Sequence, residues 1–403
     1  MLSDEARRAV TDVARAMLSV RPLAQARGAV SRLPTGLEPG ESAACAEAVL
    51  TAVAAELEVP GLEFGPRGDG AEQSVFELVM AEHLDLAARL VVLGPLTAGD
   101  LAAAVAEARK VAAKVAAESF GRHRRPTDAV SADGARLQVY EAGEPGRPAV
   151  VLASACGMPA ELCEPWIELL ARDHHVLTWE SRGLFGAVTQ FDTLGHDTAV
   201  QAADVFAVMD HCGVERAHVM GFCGGSVIAL AAAAARPERV TSLSLWHGAY
   251  ELGGDCPKAD HHRNMQALME MAAGDRDTAA GVQSVFVQTM LAGLPPGTAH
   301  LVLYPYATPE LFYRYCRVNG PITDIDVRGM LAGVRQPVLV VTSEDDSTAD
   351  PAGSRWVADR LPGAELRVEP HGDHMSLFTM SGAVGALAVD FLARVESPLQ
   401  AAG

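Results

Sequence analysis

The sequence predicts an α/β protein, with a mostly parallel sheet flanked by helices, placed behind an all-helical N-terminal domain. Three observations carry this expectation. After residue 126, short apolar strands alternate with amphipathic helices, the pattern of a parallel sheet covered on both faces. Before residue 125, Ala, Leu, Glu and Arg dominate and apolar positions recur at helical spacing. Between them in character stands "HVMGFCGGSVIALAAAAARPERV", His218 to Val240, which reads as a strand, a sharp Gly-rich turn and a helix. At 403 residues the chain exceeds the size at which one core keeps growing, so two domains are expected, 1–125 and 126–403.

In the first domain the periodicity predicts helices over 3–18, 41–58, 71–92 and 97–119, punctuated by Pro22, Pro34, Pro39, Pro60 and Pro95. No polar constellation there looks catalytic. It reads as a helical scaffold or dimerisation element, or as a gate over an active site. In the second domain "RLQVYEAG", "PAVVLASA", "HHVLTWES", "RAHVMGF", "VTSLSLWHG", "QPVLVVTSE" and "AELRVEP" read as strands. Helices are expected over 160–171, 197–212, 225–236, 351–361 and 380–395. A long insertion at about 250–325 is too long for a simple crossover, with helical texture from His261 to Leu294 and from Pro309 to Arg317. It concentrates Tyr304, Tyr306, Phe312, Tyr313 and Tyr315, which form either its own small core or the wall of an apolar pocket.

Composition excludes several roles. A net charge of −19 disfavours nucleic-acid binding, which needs clustered Lys and Arg. The opening carries Asp4 and Glu5 and no apolar stretch suited to secretion. No uncharged apolar run convincingly reaches the ~20 residues of a membrane span. Seven cysteines without CxxC spacing predict reduced thiols in the cytoplasm rather than a disulfide framework or zinc site. No Gly-rich phosphate cradle or metal-ligand cluster stands out, so no cofactor and no metal are expected. His261 and His262 in "KADHHRN" read as a solvated helix start.

The chemistry concentrates in Gly221, Phe222, Cys223, Gly224 and Gly225. This resembles the nucleophile elbow of the α/β-hydrolase superfamily, Gly-x-Ser-x-Gly on a tight strand-to-helix turn, with cysteine in place of serine. Further segments resemble the family in the same order. "VVLASACGMP" is similar to the strand and His-Gly-x-Pro loop, with Cys156 at the histidine position. "LTWESRGLFG" is similar to the Asp-x-Arg-Gly-x-Gly segment, through Glu180, Arg182 and Gly183. "PVLVVTSEDD" resembles the strand whose loop supplies the acid, and "EPHGDHMSLF" the loop that supplies the histidine. The likeness runs from about 130 to 396 and implies an α/β-hydrolase fold with a helical lid insertion.

It implies a triad of Cys223, Asp346 and His374, with Glu344, Asp345, Asp350 and His371 as nearby alternatives. The thiolate is the reactive form of cysteine, so it needs an adjacent base. His374 would serve as that base and later as acid, oriented by Asp346. An oxyanion would be held by the amide of Gly224 and a second amide, Met158, with Ala155 or Gly157 as substitutes. Phe222, Trp246, Tyr304 and Tyr306 are candidate substrate-pocket residues. The alternative is that Cys223 is a small buried packing residue.

The cysteine elbow, "SACGMP" and "TWESRGLFG" behind a helical extension are similar to the α/β-hydrolase-like enzymes of tetronate biosynthesis in bacterial polyketide-type antibiotic pathways. That resemblance implies elimination of acetate from an O-acetyl tetronate. An esterase or thioesterase working through a cysteine acyl-enzyme, and a non-catalytic small-molecule binder, are the other readings. The expected partners are an acylated small molecule and a second copy of the chain through the N-terminal helices.

Overall fold

The computed structural model describes residues 2–66, 73–91, 96–186, 190–256, 258–292, 294–380 and 382–400. The chain divides into two compact units, 1–122 with 289–308, and 123–288 with 309–403. Among the described residues no helix is long and apolar enough to cross a membrane.

In the first unit α1 spans Asp4–Arg27. Ser3 caps its start by accepting from the Ala6 amide at 3.1 Å, and Gly28, with φ 62°, ends it. The sequence expectation stopped this helix at 18, before Pro22, yet it runs through the proline. Proline inside a helix costs about 3 kcal/mol, and burial of Val20, Leu23 and Ala24 around it offsets that cost. Two short strands follow the pattern β1 (Ser31–Pro34), α2 (Glu41–Glu56), β2 (Leu62–Gly65), and the strands pair in parallel. The expectation of an all-helical domain is corrected here. Strands of four residues are too short to show a periodicity.

The helix predicted over 71–92 is two helices, α3 (Val75–Leu84) and α4 (Leu86–Leu90), broken at Asp85, whose φ is 43°. Residues 71, 72 and 92, and Pro95, lie outside the described residues. A capping box between Ser74 and Glu77 starts α3. Helix α5 (Leu101–Glu118) packs against α1 and α2. A short turn, Ala299–Val302, packs on α1 and α3, where the His300 Nε2 meets the Ser19 hydroxyl at 2.7 Å and the ring stacks on His83.

The second unit opens with a small hairpin, β3 (Ala129–Val130) and β4 (Arg136–Leu137). Seven strands then build one sheet: β5 (Val139–Ala142), β6 (Ala149–Ala153), β7 (His175–Trp179), β8 (Ala217–Phe222), β9 (Val240–Trp246), β10 (Val338–Ser343) and β11 (Glu365–Glu369). Their spatial order is β11-β10-β9-β8-β6-β7-β5, all parallel except β5, which runs antiparallel to β7. Strands β8 and β10 are buried at every position, as their continuous apolar runs predict. Helices α6 (Glu164–Leu170), α7 (Thr198–His211), α8 (Gly225–Ala235), α9 (Asp260–Gly274), α10 (Arg276–Leu291), α11 (Pro309–Asp324), α12 (Pro351–Arg360) and α13 (Gly382–Gln400) complete the unit. The chain reverses its progress across the sheet at β6, which lies between β7 and β8. In open α/β sheets such a switch point opens a crevice at the carboxyl ends of the strands.

Candidate active site

The strand ends of β8, β9 and β10 meet in one place. Cys223 follows β8 with φ 53°, a left-handed conformation that costs a non-glycine residue about 1–3 kcal/mol. Its amide donates to the Trp246 carbonyl at 2.9 Å, and its carbonyl accepts from Ser226 at 3.0 Å, so the turn is pinned on both sides. The two flanking glycines are steric requirements. A Cβ on Gly225 would collide with the Ala153 carbonyl of β6, and one on Gly221 with the Gly225 carbonyl. Cys223 is partly exposed, whereas Cys156 and Cys163 are buried and burial pushes both thiols up to about 12. A packing cysteine has no reason to sit half-exposed on a strained turn.

Asp346 follows β10 and is 4% exposed. Its Oδ1 accepts from the amides of Thr348 (2.9 Å) and Ala349 (2.8 Å), and its Oδ2 faces His374 Nδ1 at 2.9 Å. Burial alone would raise this carboxyl. His374, then His247, overcome that and hold it far below the ordinary carboxylate range. His374 lies before the short turn Ser376–Thr379, within electrostatic reach of the Cys223 side chain. Burial pushes its imidazole down, but the charges of Asp346 and then Cys223 outweigh it and hold it well above the usual histidine value. The structure thus pairs His374 with Asp346 by a hydrogen bond and brings both into the neighbourhood of Cys223. The competing residues fall away: His371 is 90% exposed and faces only Asp345 at 3.4 Å, Glu344 and Asp345 are exposed, and Asp350 caps α12 through the Ala352 amide.

The predicted oxyanion donors diverge. Gly224 opens α8, where first-turn amides have no preceding carbonyl to bond. Met158 is corrected: its amide turns back on the Ala155 carbonyl at 3.3 Å, and the Gly157 amide is taken by the Ser181 hydroxyl at 2.9 Å. Gly157 has φ 77°, and a Cβ there would strike the Tyr315 ring of α11. Helix α11 also brings Ile322 and Asn319 closest to Gly224, and Asn319 donates to the Tyr315 hydroxyl at 2.8 Å.

Two of the expected pocket residues are corrected as well. Phe222 and Trp246 are both fully buried and pack on Trp166, tilted and edge-on, at ring separations of 5.4 and 4.9 Å. Their side chains belong to the core beneath the elbow, and Trp246 serves it through its carbonyl. Tyr304 and Tyr306 are buried in the other compact unit, within 289–308. Ile322 and Asn319 stand beside Gly224, and Tyr315 beside Gly157; of the three the sequence marked only Tyr315, as a possible pocket wall. His262 is buried rather than solvated, and both it and His261 lie within electrostatic reach of His374.

Glu180 and Arg182 play supporting parts. Glu180 is buried, accepts from the Ala160 amide (3.0 Å) and the Tyr140 hydroxyl (3.2 Å), and burial raises its carboxyl to about 8. It thereby anchors the loop after β6. Arg182 is buried between Asp204 (2.6 Å) and Asp133 (2.6 Å).

Sequence reasoning missed His247, the residue directly after β9. It is 1% exposed, has φ 47°, and points Nδ1 at the same Asp346 Oδ2 from 2.8 Å. A polar residue just past the carboxyl end of a parallel strand was the available signal. Among the described residues, His247, Asp346 and His374 are the one group whose donor atoms, all within 4.8 Å of one another, could share a cation. The nitrogens stand 2.8 and 2.9 Å from the carboxylate oxygen. Ligands of a tetrahedral zinc at ~2.0 Å would stand about 3.3 Å apart, so this is hydrogen-bond spacing.

A parallel sheet with one antiparallel strand, flanked by helices and carrying a strained strand-to-helix turn beside its switch point, defines the α/β-hydrolase fold. The comparisons agree. In sequence the chain is 28% identical over 256 residues to a putative carbamate hydrolase RutD of Variovorax paradoxus, covering 62% of this chain and 93% of that protein. In structure it is similar to the esterase RhEst1 of Rhodococcus sp. (TM-score 0.55, 21% identity, 68% of this chain and 99% of that one). It is also similar to MGS-M2, an α/β-hydrolase enzyme from a Medee basin deep-sea metagenome library (TM-score 0.52, 17% identity, 64% and 94%). No family model matches the chain.

Proposed function

We propose that this protein is a cysteine-dependent α/β-hydrolase-fold enzyme of specialised, polyketide-type metabolism, acting on an acylated small molecule through Cys223, His374 and Asp346. The observation that carries the reading is Cys223 itself, strained, partly exposed and within electrostatic reach of a histidine that Asp346 orients. The reaction we assign is elimination of acetate from an O-acetyl tetronate. The basic partner of the Cys223–His374 pair removes an acidic carbon proton, and the electron pair passes into the ring carbonyl as an enolate held by the Gly224 amide. Collapse of the enolate forms the exocyclic C=C bond as the C–O bond to acetate breaks, and acetate leaves with that electron pair.

Hydrolysis is the second reading, and the likeness to putative carbamate hydrolases and to an esterase favours it. There Cys223 attacks the acyl carbonyl, the alcohol leaves with the proton from His374, and water releases the acid from the thioester. Product analysis separates the two: an O-acetyl tetronate yields an alkene by the first route and a free alcohol by the second. Cys223→Ala is expected to lower turnover at least ~100-fold with the fold intact. Full turnover in a folded variant sinks both readings.

A further inference from the structure

We propose that His247 is a positioning residue of this site: by sharing Asp346 Oδ2 with His374 it limits the carboxylate's hold on the imidazolium, so that His374 gives up its proton more readily. The inference rests on the triad reading above and goes beyond it. Two independent observations support it. The first is the contact: both imidazoles direct Nδ1 at one oxygen, from 2.8 and 2.9 Å, with the rings nearly perpendicular at 5.9 Å. A nitrogen facing an ionised carboxylate must carry the proton, which fixes Nδ1–H on both rings. The second is backbone strain. His247 keeps a left-handed φ of 47° while its amide donates to the Val341 carbonyl of β10 at 2.8 Å. That conformation turns the ring off β9 and towards the acid loop.

Stability alone does not call for this contact. Asp346 already has two amides on Oδ1 and His374 on Oδ2, so a further buried donor adds little to its satisfaction. What the donor does change is charge: each hydrogen bond to a carboxylate oxygen withdraws electron density that would otherwise favour a neighbouring cation. The groups facing His374 are Asp346 from the loop after β10, Cys223 from the elbow, and His261 and His262 from α9. Tyr250 lies within electrostatic reach of Cys223. His247 itself meets His374 through Asp346 and through the edge-on ring contact at 5.9 Å; a phenylalanine keeps a ring there, so His247→Phe removes the hydrogen bond to Asp346 and leaves the other groups in place.

The test reads Cys223 alkylation by iodoacetamide against pH on the full-length protein, with the Cys223 peptide followed by mass spectrometry. A thiolate paired with an imidazolium gains reactivity in a second, higher step, when the imidazolium loses its proton. In His247→Phe that upper step is expected to move up by about one pH unit, because Asp346 then serves His374 alone. His247→Asn, whose amide can donate to Oδ2, should return it towards the wild-type position. If His247→Phe does not fold, His247→Gln is read instead, with a smaller upward shift expected. An unchanged or lowered step in a folded variant overturns the proposal, since a merely structural role would not move it upwards. His374→Ala should abolish the step. Its persistence there overturns the triad reading and this inference together, whereas its loss there without a shift in the His247 variants overturns this inference alone.

Discussion

At the scale of single residues, the strand-end crevice collects ionisable groups pushed in opposite directions by their surroundings. Asp346 is driven down by two imidazoles, while Glu180, buried with one amide and one phenol, is driven up to about 8. The Glu180 shift has a stability consequence with a definite sign. In the unfolded chain this carboxyl ionises near 4.5, but in the fold it stays protonated until about 8. Its contribution is therefore fully present below ~4.5 and is lost as pH rises through about 8. Glu180→Gln keeps an acceptor for the Ala160 amide without an ionisable group. Its melting temperature should match wild type at pH 4 and exceed it by several degrees at pH 8.5. Equal melting temperatures at both pH values would refute the raised carboxyl.

At the scale of elements, the β8–α8 turn explains why the elbow was legible in the sequence and its surroundings were not. Two glycines four residues apart, with a strand before and a helix after, record a close approach of backbones that no other residue tolerates. Gly225→Ala should accordingly cost about 3 kcal/mol or more, read as a lowered midpoint in urea unfolding, because a backbone carbonyl stands where the methyl must go. A midpoint within error of wild type would contradict the packing described here. Asp346 and His374 were also readable, since each follows a strand in the family's order. His247 was not, because its partner lies on another strand and nothing local marks the contact. Met158 misled for a related reason: a motif fixes the position of an amide in the chain but not the carbonyl it finally bonds. Phe222 and Trp246 read as pocket residues because aromatic side chains near a nucleophile suit either place, and burial beneath the sheet edge decided for the core.

At the scale of the whole molecule, the insertion after β9 does not stay within one unit. Its first and last helices belong with the sheet, but residues 289–308 pack with the N-terminal helices, burying Leu301, Leu303 and Tyr306. Their contacts fall on α1 and α3. Deleting residues 1–122 should therefore leave an apolar segment uncovered, giving strong binding of a hydrophobic dye and aggregation on size exclusion. A monodisperse truncated protein with wild-type melting behaviour would rule this out. The same excursion sets an order of events at the ribosome. N-terminal domains ordinarily fold as soon as they emerge, yet this one lacks part of its interior until residue 308 has been made. At ~5–20 residues per second, that is a wait on the order of ten to forty seconds beyond residue 122. Throughout it, α1 and α3 present an unfilled apolar face, so the first part of the chain to be synthesised is among the last to be finished.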